Sequence, residues 1–246
     1  MSAVRTPSGG ETPGSPSKPA VTHDRARHLR IWYELIRCLG LLWFSCCGGL
    51  RATGREHIPR SGGALLISNH ASYLDVFVLG IPVPRTLNYV ARSTLFLPIL
   101  RTLIYSVGGF PIQREGMGAS GLKETLRRLR NGGMVLLFPE GTRCRDGRLG
   151  ELKPGIAVLA ERARVPIVPA AVAGTFEAWP RSQLLPSTHA IRIHYGPPIP
   201  PEEIAGLPAE SITALLHDRL ALCHAEALRA LARDLQIEPD RPRTGS

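Results

Sequence analysis

Three short stretches carry side chains able to do chemistry together: SNHASYLD at 68–75, GGFPIQR at 108–114 and FPEGTR at 138–143. In the first, His70 and Asp75 stand five residues apart. Inside a regular helix that spacing turns them about 140° from each other around the axis, so they would not meet. With His70 still in a loop and Asp75 in the first turn of the helix that follows, the carboxylate can accept from His70 Nδ1. That bond fixes the tautomer and leaves Nε2 as a general base. The same residues would also make a capped helix start beside a surface histidine, with Asp75 stabilising the helix N-terminus. Ser72 is rejected as a triad nucleophile. The chain has no G-x-S-x-G elbow around it, and three triad members within six residues do not converge.

The other two stretches supply positive charge. GGFPIQR ends a strand in Arg114, and its paired glycines permit close backbone approach. A guanidinium at a strand end facing a cleft binds phosphate through two parallel bonds. Taken alone, Arg114 reads more simply as one more solvated arginine. In FPEGTR a strand stops at Pro139, Glu140 and Gly141 make a turn, Thr142 offers a hydroxyl and Arg143 a second guanidinium. Glu140 there can hydrogen-bond a polyol or pair with an arginine, and Gly141 admits a ligand to the backbone. The alternative is a plain turn with a solvated charge pair. Arg145, Arg148 and Lys153 extend a basic rim. A base at one strand end and guanidiniums at two others suit a phosphorylated alcohol whose hydroxyl is deprotonated. The residues thus support base-assisted transfer to a hydroxyl with phosphate recognition, and leave the donor open.

The elements that must position these groups are legible as alternating apolar runs. GALLIS (63–68), LNYVA (87–91), GGFPIQ (108–113), MVLLF (134–138), VPIVPAAV (165–172) and AIRIHY (190–195) read as strands. Residues 117–130 carry Leu122, Leu126 and Leu129 at helical spacing and end at Asn131-Gly132-Gly133. Residues 154–164 form a helix with Pro in its first turn, and 209–235 an amphipathic region of one helix or two. The expected fold is α/β, a mixed, largely parallel central sheet flanked by helices. Chemistry in such sheets collects at the carboxyl ends of strands.

Composition and charge bound the class. With 246 residues, 43% hydrophobic and 20% charged, the chain is long enough for a sizeable globular core. Thirty Lys and Arg exceed twenty Asp and Glu by ten, which favours a polyanionic partner. The excess sits on residues 23–60, seven Arg against three acids, and on 85–153, twelve basic residues against five acids. A nucleic-acid binder would interleave aromatics with such charge or load its termini, and neither is the case. Five cysteines without C-x-x-C spacing argue against a disulfide scaffold and a structural zinc site and suit a reducing compartment.

Residues 1–22 read as a disordered leader rich in Pro, Gly, Ser and Thr, and 237–246 as a disordered tail. Between 23 and 58 lies an N-terminal membrane-associating helical region. Its core, IWYELIRCLGLLWFSCCGGL at 31–50, follows a basic cluster and carries Trp32, Tyr33 and Trp43. Its uninterrupted apolar part, 13 residues from Cys38 to Leu50, would be about 20 Å of helix, too short for a hydrocarbon core of about 30 Å. Extension back to Ile31 brings in Glu34 and Arg37. A helix lying in the membrane interface fits best, with an ordinary buried helix and a spanning one as alternatives. Residues 59–236 form the catalytic domain.

At these motifs the sequence is similar to the glycerolipid acyltransferases, the 1-acylglycerol-3-phosphate (lysophosphatidic acid) acyltransferase family. NHASYLD resembles that family's N-H-x-x-x-x-D block, GGFPIQR its G-x-x-x-I-x-R block, FPEGTR its F-P-E-G-T-R block and VPIVPAAV its V-P-I-x-P block. All four stand in the family's order over residues 61–172, with Gln113 where many relatives have Asp. The resemblance implies that His70 deprotonates the acceptor hydroxyl and that Asp75 orients it. It further implies that Arg114, Glu140 and Gly141 bind the glycerol phosphate, with Thr142 and Arg143 in support, and that Pro169 helps shape the acyl-donor site. The hydroxyl would attack an acyl thioester, acyl-CoA or acyl carrier protein, directly. Cys144 would then be dispensable, and no metal or cofactor is required.

The implied partners are lysophosphatidate, the thioester, an anionic membrane surface and in one case acyl carrier protein, with no nucleic acid. The implied location is the cytoplasmic face of the inner membrane. Leu95, Phe96, Leu97, Ile99, Leu100, Leu103 and Ile104, with Arg92 and Arg101 at headgroups, suit an acyl slot or ordinary core. Rival readings are the same chemistry on glycerol-3-phosphate, another lysophospholipid or a lyso-aminolipid, and a non-catalytic lipid-binding homologue.

Overall fold

The structure is a computed structural model. It describes residues 49–92, 109–112, 118–180, 182–183 and 185–236, together with residues 31, 34, 35, 38–40, 42 and 44. Seven strands form one sheet: β1 (Leu50–Thr53), β2 (Ala64–Ser68), β3 (Leu87–Arg92), β4 (Gly109–Ile112), β5 (Met134–Leu137), β6 (Ile167–Ala173) and β7 (Ile191–Tyr195). Their order across the sheet is β1-β7-β6-β2-β5-β3-β4. Every pairing is parallel except β6 with β7. The expected mixed, largely parallel α/β sheet is therefore the observed one.

The central strands are continuous apolar runs because both faces of the sheet are covered. Leu65 and Ile67 of β2 and Val135 and Leu137 of β5 point to one face. There they meet helices α2 (Ala119–Arg130), α3 (Gly155–Ala163), α5 (Pro201–Ile204) and α6 (Ala209–Leu235). Ala64, Leu66, Met134 and Leu136 point the other way, to Val78, Leu79 and Val83 around helix α1 (Asp75–Val78) and to Ile191, Ile193 and Tyr195 of β7. A short helix α4 (Thr175–Ala178) follows β6.

The question of one C-terminal helix or two resolves to one of 27 residues. Ile212, Leu216, Leu220, Cys223, Ala227 and Leu231 make a single buried stripe at the four- and three-residue steps of a core-facing helix. Near its end, Asp234 joins Arg192 of β7 and, at 3.0 Å, Arg51 of β1. Arg192 is almost fully buried and also donates to the Gly49 and Ile191 carbonyls.

One strand lies where the sequence suggested none. β1 falls inside the span 23–58 assigned to the N-terminal helical region, so the sheet begins ahead of residue 59. It is an edge strand of four residues with alternating exposure, directly after an apolar run. That shortness is why pattern reading merged it into the preceding helix. Gly54 closes it at φ +73, where a Cβ would sit 1.9 Å from the Tyr195 carbonyl oxygen.

The described residues between 31 and 44 are helical. Gly40 faces Ile81, where an added Cβ would lie 3.0 Å from Cδ1, and Phe44 packs against the core on the α1 face of the sheet. No helix among the described residues is long and apolar enough to cross a membrane. The leader, the tail, Trp32, Tyr33, Trp43 and residues 93–108 of the suggested acyl slot lie outside the described residues.

Candidate active site

β2 lies between β5 and β6, and the register brings the ends of β2 and β5 level, Ile67 opposite Leu137, with Ser68 opposite Ala170 in the middle of β6. Past those pairs the backbones separate, and side chains take over the bonding that the ladder no longer supplies. The Asn69 amide accepts from Val172 N at 2.9 Å and donates to Val172 O at 3.0 Å, in full burial. This amide continues the β2–β6 ladder by one residue and sets where His70 begins.

The His70–Asp75 contact is present. Asp75, wholly buried at the start of α1, has Oδ2 2.9 Å from His70 Nδ1. The same oxygen accepts from Ala71 N at 2.6 Å and Ser72 N at 2.8 Å. Two backbone donors show that Oδ2 is an acceptor, so the imidazole proton is on Nδ1 and Nε2 carries the lone pair. Phe138 stacks on the imidazole at 4.0 Å between centroids and 15° between planes. The sequence reading ended β5 at Phe138; the strand in fact stops at Leu137, which frees Phe138 to turn onto His70. Ser72 is buried, donates to Trp179 O at 3.0 Å and accepts from Leu74 N. It shapes the turn and has no nucleophile geometry.

Glu140 stands next to His70 in a way the sequence did not reveal. Its Oε1 accepts from His70 N at 2.8 Å and its Oε2 from Gly150 N at 3.0 Å, with 4% of the residue exposed. Both oxygens of this residue, which the resemblance gives to the glycerol phosphate, accept from the backbone here. Burial pushes its carboxyl above the usual range, and the two N–H bonds oppose that shift. Gly150 is required by this contact, because a Cβ there would lie 2.8 Å from Oε2. Gly141 occupies φ +69 and Thr142 is exposed beside it. The Cys144 N–H closes the loop onto the His70 carbonyl at 2.7 Å.

Arg143 lies with its Cζ 3.6 Å from the centroid of the Tyr73 ring, and its Nη1 is buried without a hydrogen-bond partner among the described residues. The guanidinium therefore sits at the tip of the 70–75 turn. A separate cavity of about 330 Å³ is lined by Arg145, Phe176, Pro180 and Ser182. Burial, first of all, raises the Cys144 thiol, with the carboxylates of Glu140, Asp146 and Asp75 adding to it. A thiol so placed is a poor thiolate nucleophile.

One expected site residue stands apart from this cluster. Pro169 is buried in mid-strand opposite Ile67, with its carbonyl bonded to Gly196 N. Val172, three residues on, is the part of β6 that reaches the site. Arg114 lies outside the described residues; β4, which leads to it, ends at Ile112 on the sheet edge. No His, Cys, Asp and Glu cluster able to hold a metal occurs among the described residues.

A family model described as Acyltransferase matches residues 49–173, just over half of the chain and all of this cluster. The chain belongs to the acyltransferase family. This acyltransferase is 28% identical over 196 residues to the 1-acyl-sn-glycerol-3-phosphate acyltransferase of Bacillus subtilis, covering 79% of this chain and 92% of that protein. It is 31% identical over 199 residues to the enzyme of the same name from Limnanthes douglasii, with 76% and 70% covered. Its fold matches the crystal structure of the 1-acyl-sn-glycerophosphate acyltransferase from Thermotoga maritima. That match has a TM-score of 0.70 at 21% identity and covers 91% of this chain and 86% of the other.

Proposed function

We propose that this acyltransferase moves a fatty acyl group from an acyl thioester to the free hydroxyl of 1-acylglycerol-3-phosphate, forming phosphatidic acid. The observation that carries the reading is the conjunction of an oriented base and a held cation: His70 fixed by Asp75, with Arg143 seated at the same turn. Relatives named for this reaction, matched over most of their length, support the acceptor.

In the proposed step, Nε2 of His70 takes the hydroxyl proton as the oxygen attacks the thioester carbonyl. Asp75 stabilises the imidazolium through Nδ1–H. The tetrahedral oxyanion collapses, the C–S bond breaks, and the imidazolium returns the proton to the leaving thiolate. Atoms and charge balance without an acyl-enzyme, a metal or a prosthetic group, and either acyl-CoA or acyl carrier protein suits the step as donor.

The membrane is the proposed workplace, at its cytoplasmic face. Ile31, Leu35, Leu39 and Leu42 are 46–64% exposed and fall within about 80° of one another around a helix of 3.6 residues per turn. Gly40, which faces Ile81, is on the opposite side. An apolar stripe of this kind, on an approach with seven Arg against three acids, suits the interface of an anionic leaflet.

The test is product analysis by mass spectrometry on detergent-solubilised protein. Oleoyl-CoA or oleoyl carrier protein would be offered with lysophosphatidate, glycerol-3-phosphate or lysophosphatidylcholine. Phosphatidate formed from lysophosphatidate alone supports the reading. A different acylated product keeps the chemistry and replaces the acceptor.

A further inference from the structure

The Arg143 guanidinium rests on a residue that carries no charge. Tyr73 sits at the tip of the 70–75 turn, 46% exposed, with the Arg143 guanidinium 3.6 Å over its ring. The same ring meets Trp179 at 5.7 Å between centroids and 57° between planes. Trp179 is itself pinned. Its carbonyl accepts from Ser72 Oγ at 3.0 Å, its amide donates to Thr175 O at 3.0 Å and its indole N–H donates to Gln183 O at 3.1 Å. Tyr73 is thus held between a pinned Trp179 and its own 70–75 turn. Asp75 tightens that turn through its bonds to Ala71 N and Ser72 N.

A long arginine side chain ordered on such a platform loses little further freedom when an anion arrives, and the ring face favours the cation without neutralising it. A carboxylate in the same place would hold the arginine more tightly and compete with the ligand. Nη1, buried and without a hydrogen-bond partner among the described residues, shows that this guanidinium is not saturated by the protein.

We propose that Tyr73 is a positioning residue for phosphorylated acceptors, acting through Arg143: its ring holds the guanidinium where the acceptor's phosphate binds. This rests on the reading of the acceptor given above. The platform and the catalytic dyad share one turn, so the distance from His70 to the bound phosphate is fixed by six consecutive residues. Tyr73 therefore governs acceptor affinity, while Asp75 governs the base.

The test uses the full chain in detergent as wild type, Tyr73→Leu and Tyr73→Phe. Steady-state rates with lysophosphatidate at saturating oleoyl-CoA are paired with calorimetric titration by glycerol-3-phosphate. Loss of the ring face in Tyr73→Leu should raise KM for lysophosphatidate about tenfold. It should leave kcat within about twofold and KM for oleoyl-CoA unchanged, and it should weaken glycerol-3-phosphate binding by the same factor. Tyr73→Phe, which keeps the ring, should restore both values. Thermal unfolding should barely move, because the side chain is half exposed.

Wild-type KM and binding in Tyr73→Leu would overturn the proposal, as would a fall in kcat at constant KM. If the wild type forms no phosphatidate, the acceptor reading fails and the titration alone decides. Weaker binding in Tyr73→Leu then upholds the platform. Equal binding, or none even by the wild type, sinks it.

Discussion

The side-chain amide of Asn69 and the backbone of Val172 exchange two hydrogen bonds, at 2.9 and 3.0 Å, at the point where β2 and β6 part. His70 is the next residue, so the base is located by the sheet rather than by its own loop. Glu140 from the β5 side and Asp75 from α1 complete the hold, and each of these three partners fixes a different part of the histidine or its neighbour. Such over-determination is what keeps a catalytic group within the small tolerance that chemistry allows.

Asn69→Ala tests that location directly. It strands a buried N–H and a buried C=O of Val172, each worth about 1–3 kcal/mol when left unmade. A destabilisation of at least about 2 kcal/mol is expected by denaturant unfolding. With it, kcat should fall about tenfold to a hundredfold at nearly unchanged KM.

Glu140→Gln separates a brace from an acceptor ligand. Glutamine can accept only one of the two N–H bonds and turns an NH2 group toward the other donor. The expected result is a drop in kcat of about tenfold with KM for lysophosphatidate unchanged. A rise in KM at constant kcat would return Glu140 to the substrate.

Cys144→Ser should retain most of the wild-type rate. The thiol is raised by burial and by neighbouring carboxylates, and direct attack by the acceptor needs no nucleophile on the protein. Intact-mass analysis after incubation with oleoyl-CoA alone should show no acyl adduct.

The clip at the end of α6 predicts a pH dependence of stability. The hydrogen bond from Arg192 first, and the charges of Arg192 and Arg51 after it, hold Asp234 below its ordinary carboxylate value. A depressed folded value means that the contribution is complete above the unfolded value near 3.8 and is lost as pH falls through the folded one. Asp234→Asn should therefore be less stable than wild type at pH 7. The gap should close as pH drops below about 4, as measured by urea unfolding at each pH.

Much of this was readable in the chain itself. The strands with both faces buried announce themselves as apolar runs, and the stripe from Ile212 to Leu231 announces a helix. His70 and Asp75 could be paired from sequence because one turn separates them and the required loop-to-helix geometry is local. What stayed hidden depends on contacts between distant segments. Nothing in the spacing tells that Glu140 reaches back 70 residues to the His70 N–H, or that Gly150 must be glycine to admit it. Asn69 carried a faint signal, a polar residue at the end of a fully buried strand, which must find a partner. Val172 could not be singled out within VPIVPAAV, because a motif marks a segment, while the register decides which of its residues meets Asn69. β1 escaped because four residues at a sheet edge need only half an apolar pattern.

The central claim is that Nε2 of His70 removes the acceptor's proton. The most direct measurement is the single-turnover rate of phosphatidate formation by wild type and His70→Ala, with thermal unfolding of both recorded alongside. The expected result is a rate loss on the order of 10²–10⁴-fold in a variant that unfolds at the wild-type temperature. A folded His70→Ala protein that turns over at the wild-type rate would contradict the account.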